Sequence, residues 1–159
     1  MKIGVPLEPE GETRVAIVPG SMKKLHKAGF EVLVEKGAGT AANYSDSEYT
    51  DAGASIGSRK EVMSCDIVIS IRLPDTSELS KGQIVACVAD PFRHPDKVQA
   101  CIDGGITLMS MDMIPRRLSR AQSMDVNSSQ DNLAGYKAVL LGAAQVPRGI
   151  PMMTTSAGT

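Results

Sequence analysis

Short apolar runs alternate with amphipathic stretches along most of this sequence. The runs KIGVP, EVLVEK, DIVISIRLP, QIVACVAD and ITLMSM are rich in Val and Ile, as strands are. Between them, PGSMKKLHKAG, SDSEYTDAG and HPDKVQACIDGG show helical patterns. Strands and helices that take turns along a chain predict βα units on a mostly parallel sheet.

Two of these strand-like runs are apolar at consecutive positions, Ile67–Ile69 and Ile84–Ala86. This pattern is typical of strands that helices cover on both faces. Gly29 and the pair Gly104–Gly105 follow predicted helices, where glycine adopts the left-handed conformation that ends a helix. We therefore predict an α/β doubly wound, mostly parallel sheet with helices on both faces, of the Rossmann-like or flavodoxin-like kind.

A long amphipathic run near the end of the chain predicts a further helix from about residue 125 to residue 146. Small or apolar residues recur there at three- and four-residue spacing, so one face should pack against other protein. They are Val126, Ser129, Leu133, Tyr136, Leu140 and Ala144. Pro147, Gly149 and Pro151 then break the pattern, which predicts a linker over 147–159. Residues 1–146 would form one α/β domain that ends in the long helix.

Composition narrows the range of partners. A chain of 159 residues with 42% hydrophobic content fits one ordinary domain. Its 17 basic and 18 acidic residues are interspersed, which argues against nucleic-acid binding and against a polybasic membrane patch. Cys65, Cys87 and Cys101 show no C-x-x-C spacing, and their odd number indicates reduced thiols. Since no apolar run approaches the roughly 18 residues of a membrane-spanning helix, we expect no direct membrane insertion.

The segment GAGTAA, Gly37–Ala42, follows a predicted strand and satisfies the dinucleotide fingerprint G-x-G-x-x-[GA]. In a true fingerprint, the helix begins within the glycine-rich turn, so that its first amides meet the pyrophosphate. Ser45 and Glu48 instead form an S-x-x-E capping box, which places the start of the helix beyond the glycines. We therefore predict a simple strand-to-helix turn here rather than a cofactor site.

Three isolated residues are weaker candidates for chemistry. His26 lies near a predicted helix C-terminus, where an imidazolium complements the helix dipole, so an exposed or capping role is expected. His94 precedes a proline and has no neighbouring Cys or His, which argues against a metal site. Arg14 follows an acidic loop and is flanked by apolar residues. Two roles for it remain open, a clamp for a carboxylate or phosphate and a surface ion pair.

The segment Arg117–Ser129 places many hydrogen-bonding side chains just before the long helix. A helix start needs one or two of them. Ser119 and Gln122 fit an S-x-x-Q capping box; alternatively, Asp125 caps the helix and Ser128 serves its first turn. Eight polar side chains exceed that need, which suggests a ligand site. They are Arg117, Arg120, Gln122, Ser123, Asp125, Asn127, Ser128 and Ser129.

At these residues the sequence resembles a known family. RLSRAQSMDVNSSQDNLAGYKAV, followed by PMMTTSAGT, is similar to the NAD(H)-binding component of proton-translocating NAD(P) transhydrogenase, at the N-terminal end of its alpha subunit. The opening MKIGVPLEPEGETRVAIVPGSMKKLHKAGFEVLVEKGAG is similar too, but the related alanine dehydrogenases share it. The RAQSMD segment separates the two families, and the resemblance covers essentially the whole chain.

The resemblance implies a nicotinamide site in this segment. In the family, a loop with arginine, glutamine and aspartate reaches over the nicotinamide end of NAD(H). The matching residues are Arg117, Gln122 and Asp125, which are implied to be catalytic and cofactor-binding, and Ser128 is implied as a further cofactor contact. Hydride transfer between two nicotinamides moves no proton at the reacting carbons, so such a site needs positioning and dipoles rather than an acid–base pair.

An alanine dehydrogenase has different requirements, because it must protonate and deprotonate a substrate nitrogen and a water. In that family a lysine and a histidine lie in segments that here offer Arg72 and the pair Ala89–Asp90. Arginine stays protonated and cannot shuttle protons. Arg14 matches the arginine that grips the substrate carboxylate in alanine dehydrogenases, but transhydrogenases keep it as well. It therefore does not discriminate between the families.

The resemblance also implies partners. NADH would pass hydride to NADP(H) on a partner component, coupled to proton translocation through a membrane component, with no metal involved. The full-length subunit would be a homodimer on the cytoplasmic side of the inner membrane, or on the matrix side in a eukaryote. In the family, PMMTTSAGT leads into a dinucleotide-binding domain with a glycine-rich turn for the pyrophosphate. The linker 147–159 would lead toward that domain, and the isolated chain is expected to be inactive.

Some positions depart from the family pattern. Asn127 and Asp131 stand where the family generally has apolar or small residues, and VPRGIP replaces a more helical stretch. Two alternatives therefore stay open, a non-catalytic α/β module for protein association and a divergent relative of alanine dehydrogenase.

Overall fold

The structure is a computed structural model that describes residues 1–148 of the chain. It contains two compact units, Met1–Ile114 and a second unit that begins at Pro115. The first unit holds the sheet, and the second holds the long helix predicted near the end of the sequence. Among the described residues, no helix combines the length and the apolar character that crossing a bilayer requires.

Six parallel strands form a single sheet in the first unit. They are β1 (Lys2–Val5), β2 (Glu31–Glu35), β3 (Ser55–Gly57), β4 (Ile67–Arg72), β5 (Ile84–Val88) and β6 (Thr107–Ser110). Their order across the sheet is β3-β2-β1-β4-β5-β6, and every neighbouring pair is parallel. This is the Rossmann-like order, in which the chain reverses its direction across the sheet between β1 and β4. The α/β doubly wound prediction is therefore confirmed.

Helices connect these strands. In the first unit they are α1 (Met22–Lys27), α2 (Asp46–Asp51), α3 (Arg59–Met63) and α4 (Pro95–Asp103). Short 3-10 turns lie at Pro19–Ser21, Thr40–Ala42, Thr76–Glu78 and Met111–Met113. Gly4 lets β1 lie directly against α3, because a Cβ at this position would collide with the carbonyl group of Val62. These close connections bring the loops at the carboxyl ends of β1 and β4 next to each other.

The core of the first unit is built mainly from strand residues. Val5 and Val34 are fully buried in the larger cluster, together with Tyr49 from α2. The Tyr49 hydroxyl donates a hydrogen bond to the carbonyl of Ile17 over 2.8 Å, so this polar atom is satisfied inside the core. A second cluster packs Val68 and Val85 with Cys87 of β5 and Cys101 of α4. All three cysteines are buried and free, as their odd number predicts.

Local rules for helix ends hold well in this chain. Gly29 and Gly105 have φ angles of 85° and 66° just after α1 and α4, where the sequence predicted left-handed glycines. Gly104 itself keeps a right-handed conformation as the last residue before that turn. His26 lies exposed in the last turn of α1, as expected, and His94 is the residue that precedes α4.

The second unit contains the helix α5, Val126–Gln145, which confirms the helix predicted from about residue 125 to 146. The prediction that one face of it packs is wrong for the described part of the chain, since no α5 residue is buried. Leu133, Tyr136 and Leu140 are 62%, 68% and 49% exposed. Regular apolar spacing identifies a surface that is suited to packing, but it does not by itself supply the partner. Most of the predicted linker, residues 149–159, lies outside the described residues.

Candidate functional site

The first candidate region lies where the strand order reverses. Ligands of open α/β sheets bind beyond the carboxyl ends of the strands at such a point. In this chain, the segment after β1 carries Glu8, Glu12 and Arg14, and β4 ends at Arg72. A cleft of about 310 Å³ opens there, lined by Pro6, Leu7, Glu8, Ser70, Arg72 and Pro74 among others.

Glu12 joins the two arginines of this region. Arg14 donates to its carboxylate from Nε and from Nη2, each over 2.7 Å, and Arg72 donates from Nε over 3.1 Å. The Glu12 side chain is only 9% exposed. The side-chain hydrogen bonds from Arg14 lower the pKa of Glu12 to about 2. Of the two roles left open for Arg14, the structure therefore supports the ion pair, and its acidic partner comes from the same loop.

Glu8 fastens the loop after β1 to the end of β4. Its buried carboxylate accepts hydrogen bonds from the backbone amides of Ile71, over 2.5 Å, and Arg72, over 3.0 Å. Burial raises the pKa of Glu8, and the two amide hydrogen bonds oppose that rise. Both carboxylate oxygens are thus engaged in holding the backbone.

Arg59, the first residue of α3, closes the opposite side of the cleft. It donates to Glu78 from Nε and Nη2, over 2.8 and 2.7 Å, and from Nη1 to Glu35 and to the carbonyl of Leu7, each over 3.2 Å. The hydrogen bonds with Glu78 raise the pKa of Arg59. Such a bidentate pair fixes a planar geometry. Arg59 thus binds two other charged side chains of the cleft, and Glu8 binds backbone amides, so these groups stabilise the walls of the cleft.

The end of β5 has a similar structural arrangement. The carboxylate of Asp112 accepts hydrogen bonds from the amides of Ala89 and Asp90, over 3.2 and 3.0 Å, and from the hydroxyl of Ser110, over 2.6 Å. Asp90 has a φ angle of 46°, which is uncommon for a residue other than glycine. The segments compared with alanine dehydrogenases thus carry an ion-paired arginine and a strained aspartate, and neither is a lysine or a histidine.

The ion pairs of Glu12 predict a specific acid sensitivity. The pKa of this carboxyl is about 2 in the folded chain against its ordinary value of 4.5. A lowered pKa means that Glu12 stabilises the fold above pH 4.5, and that this contribution disappears as the pH falls toward 2. We expect the free energy of unfolding, measured by urea denaturation, to decrease over that window. Glu12→Gln should be less stable at pH 7, and its free energy of unfolding should fall less steeply between pH 4.5 and 2, because the share contributed by Glu12 is removed.

The matched control for this experiment is Glu10→Gln, which removes an exposed carboxylate of the same loop. It should keep the wild-type dependence on pH. Parallel stability curves for wild type and Glu12→Gln between pH 2 and 4.5 would show that Glu12 does not carry the effect.

The glycine-rich loop Gly37–Ala42 confirms the sequence-based interpretation of its helix. The helix α2 begins only at Asp46, and Ser45 and Glu48 form the predicted capping box. The amide of Gly37 donates to the Asp46 carboxylate over 2.9 Å. The first amide of the apparent fingerprint is therefore already bonded, and a negative charge lies where a pyrophosphate would have to bind.

The site residues predicted from the polar segment lie in the second unit. Arg117 lies in the turn after Pro115, Gln122 begins the 3-10 turn Gln122–Met124, and both are exposed. Asp125 is the N-cap of α5, and its carboxylate accepts the amide of Ser128 over 3.0 Å. The structure therefore brings Asp125 and Ser128 together. Within the described residues, it gives no side-chain contact that joins Arg117 or Gln122 to them.

Of the two capping schemes left open by the sequence, the one with Asp125 is confirmed. The S-x-x-Q scheme with Ser119 is not observed, since Ala121 precedes the 3-10 turn and no side chain caps it. Hydrogen bonds from the side chain and then from the backbone of Ser128 lower the pKa of Asp125. Asp125 is therefore a fixed negative charge at neutral pH. Among residues 1–148, no group of three or more His, Cys, Asp or Glu side chains could hold a metal ion.

Comparison with known proteins adds independent information. The family model for the alanine dehydrogenase/PNT N-terminal domain matches residues 4–134. An NAD(P) transhydrogenase alpha-subunit protein of Rhodospirillum rubrum is 43% identical over 170 residues, which cover 100% of this chain and 44% of that protein. Alanine dehydrogenase of Bacillus subtilis is 30% identical over 156 residues, which cover 94% of this chain and 40% of that protein.

Among solved structures, too, a transhydrogenase is more similar to this chain than an alanine dehydrogenase is. The transhydrogenase from Sinorhizobium meliloti matches with a TM-score of 0.90 at 39% identity, over 99% of this chain and 48% of that one. An L-alanine dehydrogenase matches with a TM-score of 0.70 at 27% identity, over 76% of this chain and 34% of that one. The chain spans less than half the length of each of these four relatives.

Proposed function

The chain belongs to the alanine dehydrogenase/PNT N-terminal domain family, and we propose that it positions the nicotinamide of NADH for direct hydride transfer to NADP in a transhydrogenase. Both kinds of relative are oxidoreductases by name, and the name of the transhydrogenase adds NAD(P), so an oxidoreductase-associated role is supported. The higher identity and TM-score of the transhydrogenases favour them over the dehydrogenases.

The observation that carries the proposal is the composition and exposure of the segment Arg117–Ser128. Its guanidinium, amide and hydroxyl groups are accessible at Arg117, Gln122 and Ser128, where they offer hydrogen-bond donors and acceptors to a ligand. Such groups suit a reaction that needs orientation and fixed dipoles. An acid–base catalyst would need a titrating side chain instead.

Each of these residues can be given a role. A nicotinamide that gives up hydride acquires a positive charge on its ring. Asp125, held as an anion by Ser128, would stabilise that charge as it develops. The amide of Gln122 offers both a donor and an acceptor, which match the two ends of a carboxamide. Arg117 would orient neighbouring polar or anionic groups through its exposed guanidinium.

The residues at the carboxyl ends of β4 and β5 argue against amino-acid dehydrogenation. Arg72 is paired with Glu12, and the end of β5 offers Asp90 in a backbone-strained turn. Neither position offers the lysine or the histidine that alanine dehydrogenases carry in the matching segments, and an arginine does not shuttle protons.

The proposal includes components beyond this chain. NADP(H) would be held by a partner component, and a membrane component would couple hydride transfer to proton translocation. The complete subunit would act as a homodimer on the cytoplasmic side of the inner membrane, or on the matrix side in a eukaryote, without a metal. Residues 1–146 would be the N-terminal domain, and residues 147–159 a linker toward the dinucleotide-binding domain.

One observation favours a second function, namely protein association. The helix α5 presents Leu133, Tyr136, Val139 and Leu140 as exposed side chains, and apolar surface of this kind commonly marks contact sites. Association alone would give a complex that transfers no hydride.

An isotope experiment tests the proposed function. The complete subunit that contains this chain is combined with an NADP(H)-binding component and given NADH that is deuterated at the reactive C4 position. Direct transfer predicts that the deuterium appears in NADPH without dilution by solvent hydrogen. Loss of the label to water would contradict direct transfer, and complex formation without NADPH would favour the association function.

A further inference from the structure

Arg116 connects the start of the polar segment to the first turns of α5. Its Nη1 donates to the hydroxyl of Ser128 over 3.3 Å and lies 3.7 Å from a carboxylate oxygen of Asp131. The hydrogen bond joins residues that are 12 positions apart. It therefore closes a loop that contains Arg117, Gln122 and Asp125.

We propose that Arg116 is a positioning residue, which holds Arg117 and Gln122 in a fixed geometry relative to Asp125 and Ser128. The inference rests on the proposed function, since positioning matters only if these residues act on a nicotinamide. Arg116 is assigned no contact with the nucleotide itself. It acts through Ser128 and through the path of the loop.

The backbone of the loop shows why such a connection is useful. Successive turns are closed by amides that donate to carbonyls three residues earlier, from Leu118 to Pro115 over 3.2 Å, from Ala121 to Leu118 over 2.8 Å and from Met124 to Ala121 over 2.9 Å. Each bond restrains its own turn and leaves the angle between turns adjustable. A contact between the two ends of the loop restrains all the turns together.

Asp131 supplies the second contact of Arg116 on α5. An apolar side chain could not pair with Arg116, whereas Asp131 provides an anionic partner. The two partners of Arg116, the hydroxyl of Ser128 and the carboxylate of Asp131, are three positions apart on α5 and therefore lie on the same side of the helix.

The competing interpretation is an ordinary surface ion pair. The side chains of Arg116 and Asp131 are 56% and 73% exposed, and pairs of this kind contribute little to global stability. The two interpretations differ in what they predict. A surface pair affects neither the order of the loop nor the reaction. A positioning residue affects both, because hydride transfer depends steeply on the placement of the reacting groups.

The test combines two measurements on Arg116→Ala. Hydrogen exchange of the backbone amides from Leu118 to Ser128 is followed in this chain without nucleotide, and steady-state hydride transfer is measured in the complete transhydrogenase. We expect faster exchange in the loop, a kcat lower by about tenfold and a KM for NADH within about twofold of wild type. Arg116→Lys keeps a cation that can reach one partner, so part of the rate should return.

Lys137→Ala is the matched control, because it removes one exposed positive charge from α5 outside the loop. It should leave exchange and kcat at wild-type values. Wild-type exchange in Arg116→Ala, or faster exchange with wild-type kcat, would overturn the positioning role. If Gln122→Asn slows hydride transfer and Arg116→Ala does not, the result counts against the role of Arg116 alone. If Gln122→Asn transfers hydride at the wild-type rate, the result counts against the proposed function.

Discussion

This chain by itself is expected to bind NADH at least about a hundredfold more weakly than the same chain joined to the remainder of a transhydrogenase alpha subunit. Dinucleotides gain much of their affinity from backbone amides at a helix N-terminus, which cradle the pyrophosphate. Within residues 1–148, the glycine fingerprint Gly37–Ala42 does not offer that cradle, because the amide of Gly37 is bonded to Asp46. Isothermal titration calorimetry with NADH on both proteins measures the difference.

The Rhodospirillum rubrum protein can supply the remainder, since this chain aligns with 44% of it. Equal affinity of the two proteins would contradict the prediction and would place the nucleotide site within these residues. Asp46→Asn then identifies the location. It removes the negative charge beside Gly37, and it should tighten NADH binding to the chain alone only if the Gly37–Ala42 loop holds the pyrophosphate.

Local features of the fold could be predicted because short-range physics decides them. The Ser45–Glu48 capping box involves residues three positions apart, so the sequence alone places the start of α2. The cap formed by Asp125 belongs to the same class, although the sequence could not choose between it and the Ser119 scheme. The order of the strands is different, because it depends on how each connection crosses the sheet, and the alternation of elements left the Rossmann-like and flavodoxin-like orders open.

Long-range polar contacts could not be predicted. Glu8 bonds to amides more than 60 positions away, at the end of β4, and no pattern near Glu8 identifies that destination. Arg14 binds Glu12 only two positions away, but the loop has no regular geometry from which the direction of the two side chains follows. The exposure of α5 could not be inferred either. Apolar periodicity indicates which face of a helix is suited to packing, but it does not show which surface, if any, covers that face.

An excess of polar residues and a family resemblance indicate the candidate site. Both signals overlook residues that lie outside the family motif. They select residues that match a family motif, such as Gln122 and Asp125. They miss Arg116, whose neighbour Arg117 matches the motif and whose partner Asp131 stands out only as a departure from it. A doubled arginine followed by an unusual carboxylate on the next helix is a signal for such a pair, but only the structure shows that they meet.

Gln122→Asn is expected to slow hydride transfer by about a hundredfold in the complete transhydrogenase, while the affinity for NADH changes little. Asparagine keeps the amide but shortens the side chain by one methylene, so the amide no longer reaches the nicotinamide carboxamide that Gln122 is proposed to orient. The affinity should remain, because the pyrophosphate contacts lie elsewhere. Single-turnover kinetics gives the transfer rate, and calorimetry gives the affinity for NADH.

Thermal unfolding of the same variant separates this role from a structural one. Gln122 is exposed and takes no part in a capping box, so its substitution should leave the melting temperature nearly unchanged. Gln145→Asn at the end of α5 is the matched control, because it makes the same chemical change on an exposed glutamine outside the segment. A lowered melting temperature with wild-type hydride transfer in Gln122→Asn would assign this residue to helix initiation. In that case Gln122 would no longer be a candidate for orienting the nicotinamide, and Asp125 would remain as the cap of α5 without a proposed catalytic partner.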